Sequence, residues 1–107
     1  MDKLKELMLR IDKFNKDRDW DQFHSPSNLA KSISIESGEL LECFQWSNEK
    51  YDLGDVKEEL ADVLNYCLQM CISLGLEPID IVNVKMDLNE RKYTVEKAKG
   101  NSKKYNK

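Results

Sequence analysis

A chain of 107 residues, 40% of them hydrophobic, can bury one modest core, so a single domain is expected. Only four Gly and two Pro, with few β-branched runs, point to an all-α fold. The net charge of −3 hides an asymmetry: Thr94 to Lys107 carries five lysines and one acid, a balance of +4, which leaves −7 on residues 1–93. An acidic body with a basic tail excludes the usual footprint of a nucleic-acid binder. No apolar run is long enough to span a membrane and no signal-peptide pattern opens the chain, so no membrane partner is expected and the cytoplasm is the expected compartment. Cys43, Cys67 and Cys71 are odd in number and form no C-x-x-C, which reads as core thiols in a reducing compartment.

Leu4, Leu7, Met8, Ile11 and Phe14 recur at helical spacing and define a first amphipathic helix. It ends near "RDWDQFHSPSN", where aromatics and turn formers replace the period. Ser25 and Pro26 form an N-cap and first-turn pair for a second helix, expected to run to about Trp46. "SNEKYDLG" is a loop. Asp55 and Glu58 make a D-x-x-E capping pattern for a third helix from Val56 to about Leu74, with Gly75 as its stop. Pro78 opens a fourth helix reaching about Tyr93. The domain is therefore placed at residues 1–93, and the basic tail, 94–107, is expected to be irregular or frayed, part of the same domain or not.

The fourth helix is apolar on two sides. Ile79, Val82, Met86 and Tyr93 share one stripe, while Ile81, Val84 and Leu88 lie nearly opposite at 3.6 residues per turn. Three neighbours in so small a chain do not surround a helix completely. A homo-oligomer is the economical expectation.

The acids hold the main anomaly. Leu29, Ile33, Leu40 and Phe44 cluster on one face of the second helix, and Glu36 falls inside that cluster with Glu39 beside it. On the third helix, Val56, Leu60, Val63, Cys67 and Cys71 form the stripe, flanked by Glu59, Asp62 and Tyr66, while Glu58 points away. Two helices thus each carry an i, i+3 acid pair. Packed antiparallel through their stripes, they bring four carboxylates into one groove, where mutual repulsion costs several kcal/mol at an effective dielectric of about 20. Protonation or cations must relieve it. An all-oxygen set with no neighbouring His or Cys suits a hard ion, Mg²⁺ or Mn²⁺. The di-iron carboxylate alternative wants Glu-x-x-His motifs, and the single His24 lies in none. In a chain with 20 acids, such pairs also arise as solvated helix faces. Glu36 argues against that reading, because a charge on a buried stripe is expensive without compensation.

Other candidates surround these acids. Trp20 and Trp46, each near a helix end, either pack or sandwich a planar base. His24 is a donor for a phosphate or base, or a local hydrogen-bonding residue. Asn89 repeats the Glu36 anomaly on the stripe of the fourth helix, with Lys85 on its flank; both suit phosphate oxygens, or Lys85 is an ordinary snorkelling lysine.

In this combination the chain resembles the MazG-like nucleotide pyrophosphohydrolases, in particular the small branch with the dCTP pyrophosphatases. Its E-x-x-E…E-x-x-D motif matches "ESGE" (Glu36, Glu39) and "EELAD" (Glu59, Asp62), with 19 residues between Glu39 and Glu59. The segments "RDWDQFHSPSNL", "ESGELLECFQW", "EELADVLNYCL", "KMDLNERKY" and "KGNSKKY" follow that branch in order. The resemblance implies a four-helix MazG-like bundle in a homo-oligomer, a tetramer built as a dimer of dimers. It implies Mg²⁺, with Mn²⁺ as a substitute, on Glu36, Glu39, Glu59 and Asp62, one of which activates water. It also implies a nucleoside pocket from Trp20, Asp21, Gln22, Phe23, His24 and Trp46, with Tyr66, Lys85 and Asn89 on the substrate, chiefly its phosphates. Vertebrate members carry a His on the first helix where this chain has Ile11.

The expected activity is hydrolysis of a nucleoside triphosphate to the monophosphate and pyrophosphate, as house-cleaning of dCTP-like or modified pyrimidine nucleotides. Lys97 and Lys104 of the tail close over the phosphates in this reading. The rivals are hydrolysis of another nucleotide such as dUTP, and a non-catalytic helical oligomerisation module.

Overall fold

The four long helices start where a polar side chain accepts a backbone N–H that has no partner within the helix. In the computed structural model, which describes residues 2–100, Asp2 Oδ1 accepts the Lys5 amide at 2.8 Å and opens α1, Lys3–Asp17. Ser25 Oγ accepts the Asn28 amide at 3.2 Å and opens α2, Pro26–Glu42, with Pro26 in its first turn as expected. Asp52 opens α3, Leu53–Leu74, and Glu77 opens α4, Pro78–Lys92. A 3₁₀ turn, Asp21–Phe23, joins α1 to α2. Lys103, Lys104 and Lys107, with the end of the "KGNSKKY" motif, lie outside the described residues.

The helix ends depart from the sequence reading at three places. α2 stops at Glu42, not Trp46, because the amides of Cys43, Phe44 and Gln45 bond the carbonyls three residues back, at Leu40, Leu41 and Glu42. Those tighter bonds close the last turn, and Trp46 falls beyond it. α3 starts three residues before Val56, because Asp52 rather than Asp55 is the cap. Asp52 Oδ1 accepts the Asp55 amide at 3.2 Å, which leaves Asp55 as an acid of the first turn. The tail is not wholly irregular: Thr94 leads into one further turn, α5, Val95–Ala98. Five α-helices are thus present among the described residues, where the sequence suggested four. The stop at Gly75 is as expected, with φ +68°, a left-handed conformation that costs glycine little.

The contacts divide the chain between Leu76 and Glu77 into two units. In the first, α2 and α3 form the main pairing and α1 packs on α3. Leu29 and Cys71 are the buried apolar side chains there, with Ile33, Leu40, Phe44, Val56, Val63 and Cys67 half-buried around the same stripes. In the second, α4 exposes Ile79, Val82 and Met86 on one side and Ile81 and Val84 on the other, while Leu88 and Asn89 are half-buried. No single helix among the described residues is long and apolar enough to cross a membrane.

Candidate active site

The connection between α2 and α3 sets the level at which the acids meet. Glu36 stands six residues before the last residue of α2, and Glu59 six residues after the first of α3. In a helical hairpin, equal distances from the link place two side chains at the same height, about 9 Å from either end at 1.5 Å per residue. Asp62 lies one turn beyond Glu59. Glu36, Glu59 and Asp62 each offer an oxygen within 4.8 Å of the others.

The electrostatics follow from that convergence. The Glu36 carboxyl is pushed up to about 7 from an ordinary 4.5, first by the adjoining Glu39 carboxyl, which favours a shared proton, then by burial and the charges of Glu39, Asp62 and Glu59. Burial, followed by Glu39 and Asp62, raises Glu59 as well. Cys43 is raised by burial and by the charges of Glu59 and Asp55. Oε2 of Glu36 and Oε2 of Glu59 are buried without a hydrogen-bond partner. Two buried oxygens without protein donors, close to a third carboxylate, form a donor set that fits a hard divalent cation. Glu39, more exposed, borders both Glu36 and Glu59 and is not one of the converging three.

Beside the acids, α1, α3 and the link to the 3₁₀ turn enclose a cleft of about 470 Å³, within the range of small-molecule sites. Asp62 stands in its wall, together with Trp20, His24 and Tyr66. The local fold explains the aromatic set. Asp19 adopts φ +54°, and its main-chain and side-chain oxygens accept Gln22 Nε2 at 2.9 and 3.1 Å. The Trp20 amide bonds Asn15 O at 2.9 Å, which draws the chain back over α1. The Trp20 ring meets Phe14 edge-on at 5.6 Å and His24 at 6.5 Å, and His24 in turn meets Tyr66 at 6.5 Å. Nδ1 of His24 is buried and unpartnered.

Of the sequence-derived candidates, the structure brings Trp20, His24, Asp62 and Tyr66 to the cleft and Glu36 and Glu59 to Asp62. Asp21, Gln22 and Phe23 form the 3₁₀ turn; none of them lines the cleft, and Phe23 is exposed. Trp46 is 90% exposed and lines no part of it. Lys85, exposed, and Asn89, half-buried, belong to α4 in the second unit.

Among the lining residues that escaped the sequence reading are three amides. Asn15 and Gln69, only 5% and 7% exposed, join through Asn15 Nδ2 donating to Gln69 Oε1 at 3.1 Å. Gln69 Nε2 then donates to Asn65 Oδ1 at 3.1 Å. All three line the cleft. Asn15 continues the Ile11 stripe at i+4, the same signal that singled out Glu36. Ile11 itself lies in the cleft wall.

Comparison with known proteins agrees with this arrangement. The model of the MazG-like family matches residues 31–107. The chain is 35% identical to dCTP pyrophosphatase 1 of Homo sapiens over 102 residues and to that of Bos taurus over 101, covering 86% of this chain in each case. It spans 59% and 60% of the length of these relatives. The crystal structure of a pyrophosphatase from Archaeoglobus fulgidus superimposes with a TM-score of 0.83 at 42% identity, covering 88% of this chain and 94% of that one.

Proposed function

The chain belongs to the MazG-like family, and from that premise we propose that it is a metal-dependent nucleoside triphosphate pyrophosphohydrolase, turning (d)NTP and water into (d)NMP and pyrophosphate. The observation that carries this reading is the meeting of Glu36, Glu59 and Asp62 with two buried carboxylate oxygens that have no protein donor. A solvated acidic face, as in a non-catalytic oligomerisation module, leaves its carboxylates in water. Here Glu36 and Glu59 are half-buried, each with one oxygen out of reach of water, and Asp62 meets them from the exposed side.

Glu36, Glu59 and Asp62 would hold the cation, Mg²⁺ with Mn²⁺ as a substitute, and Glu39, which borders Glu36 and Glu59, is proposed as a fourth ligand from the family motif. When bound, the cation supplies neutralising charge for the triphosphate and acidifies a coordinated water. One carboxylate of the set would take the proton of the water that attacks the α-phosphorus. Trp20, His24 and Tyr66 form an aromatic wall for the nucleoside, and stacking on such a wall is worth about 1–3 kcal/mol per base. The Asp21–Phe23 turn fixes Trp20 and His24 on either side of it. Lys85, Asn89 and Lys97 are proposed as phosphate ligands on the resemblance to the family alone, and Trp46, exposed on the single chain, as a base contact on the same ground. The substrate class proposed is dCTP-like or modified pyrimidine nucleotides, consistent with relatives named dCTP pyrophosphatase 1.

A homo-oligomer, a tetramer made of two dimers, belongs to the same proposal. Its support is the thin core: Leu41, Leu64 and Trp46 in the first unit, and Ile79, Val82 and Val84 of α4, are all exposed on the single chain. Cytoplasmic residence is proposed from the three free cysteines. The activity is tested by measuring pyrophosphate release from a panel of dNTPs and base-modified analogues while Mg²⁺ is titrated against a chelator. Release that depends on the ion supports the proposal. No release from any of them with Mg²⁺ or Mn²⁺ present overturns it.

A further inference from the structure

The cleft that contains Asp62 is lined along much of its length by apolar side chains, among them Leu7, Ile11, Phe14 and Leu68. The Asn15–Gln69–Asn65 chain breaks that lining with amides, two of them almost wholly buried. Along α3, at about 1.5 Å per residue, Asn65 stands about 4.5 Å and Gln69 about 10 Å from the level of Asp62. The amides therefore sit away from the metal-side acid, at the depth where a nucleoside held by its phosphates presents its base. An Asn or Gln side chain carries a donor and an acceptor side by side, the pairing suited to a base edge.

We propose that Asn15, Gln69 and Asn65 form the base-reading edge of this cleft, and that their hydrogen-bond polarity reverses as a unit, so that the cleft accepts an amino base and an oxo base alike. The inference rests on reading the cleft as the nucleoside pocket. The internal bonds run from Asn15 Nδ2 to Gln69 Oε1 and from Gln69 Nε2 to Asn65 Oδ1. They leave the Asn15 carbonyl and the Asn65 amino group as the two ends, and neither end has a further side-chain partner among the described residues. Half-turn rotation of all three amides preserves both internal bonds and exchanges the ends, because an amide keeps its shape when its oxygen and nitrogen swap places. Asn65 then offers a carbonyl where it had offered an amino group. With one polarity it donates to a ring carbonyl; with the other it accepts from a ring amino group. No charged side chain is bonded to the chain to hold it in one sense.

Cytosine and uracil share a size and differ at position 4, amino or oxo, and at N3, which accepts in cytosine and donates in uracil, so dCMP and dUMP are the probes. Their binding to the full-length protein is measured by calorimetry with Mg²⁺ at about pH 8, where a carboxylate is ionised, for the wild type, Asn65→Asp and Asn65→Leu. The wild type is expected to bind the two within about tenfold of each other. Asn65→Asp, which only accepts, shifts the ratio toward dCMP by about tenfold, the value of one good base contact. Asn65→Leu weakens both by about tenfold and leaves the ratio near that of the wild type. A wild type that binds neither probe, or that separates them by about a hundredfold or more, overturns the inference. An unchanged ratio in Asn65→Asp with undiminished binding in Asn65→Leu does the same. Pyrophosphate release from dCTP and dUTP is followed in parallel. Binding as expected without any release keeps the base-reading edge and removes the pyrophosphohydrolase reading, whereas release with unresponsive Asn65 variants does the reverse.

Discussion

The first unit of the chain brings together two sets of polar side chains, and they are opposites. Asn15, Gln69 and Asn65 meet their complements, so that each donor inside the chain finds an acceptor. Glu36, Glu59 and Asp62 meet their likes, and two of their buried oxygens find no donor at all. A satisfied polar chain in a helical core holds helices together, here α1 to α3, whereas an unsatisfied cluster of one sign is stable only with protons or cations among its members. The first set contributes stability. The second stores a demand for a ligand.

Substitution separates the two sets most sharply. Glu36→Gln should lower pyrophosphate release by more than the about 10–100-fold that follows loss of an outer-shell metal partner. Removal of one like charge should meanwhile leave the metal-free melting temperature unchanged or higher. Chelator-treated melts and a release assay on the same preparations check both halves; a large fall in metal-free stability instead shows Glu36 to be a structural hydrogen-bonding residue.

Metal addition should act in the same direction. At about 100 times its dissociation constant, Mg²⁺ stabilises by about 2.7 kcal/mol, a rise of roughly 10 °C or more for a chain of this size. Glu36→Gln should lose most of that rise, and calorimetric melts with and without the ion read it directly.

The amide chain should respond oppositely. Gln69→Leu leaves the Asn15 and Asn65 amides without their buried partner and should cost about 1–3 kcal/mol, with or without metal. Denaturant midpoints at matched metal concentration test this. A neutral result moves the amides out of the structural column.

The smallest effect expected is on pH dependence. Because the Glu36 carboxyl is raised from 4.5 to about 7, the folded metal-free protein holds more protons than the unfolded chain between those values. The Glu36 contribution to stability is therefore fullest below about 4.5 and falls as pH rises toward 7. Glu36 is only part-buried, so water screens much of this effect. Metal affinity should rise over the same interval, since binding displaces the proton. Melts of the chelated protein across that range show the slope, and Glu36→Gln should flatten it.

The contrast between the two sets also marks how much the sequence discloses. Helices α1 to α4 are legible because their apolar residues recur at helical spacing, and the caps at Ser25 and Gly75 are legible because few residue types do those jobs. Where two acids compete for one cap, as Asp52 and Asp55 do, spacing does not choose between them. The outcome turns on which side chain reaches the free amide. Glu36 is legible because it interrupts Ile33 and Leu40 and because a second acid pair lies within reach along the chain. Asn15 interrupts its own stripe just as plainly, yet its partner Gln69 is 54 residues away, and nothing local announces the pairing. Trp46 shows the converse. Its place near a helix end suggests a base platform, but the tightened last turn of α2 leaves it almost fully exposed on the single chain.

The most direct measurement is a product analysis of dCTP hydrolysis by wild type and Glu36→Gln at saturating Mg²⁺, with monophosphate, pyrophosphate and orthophosphate resolved. The wild type should give monophosphate and pyrophosphate in equal amounts, and the variant almost none of either. Orthophosphate as the first product, or a Glu36→Gln variant as active as the wild type, would contradict an inward-facing acid cluster that serves pyrophosphate release.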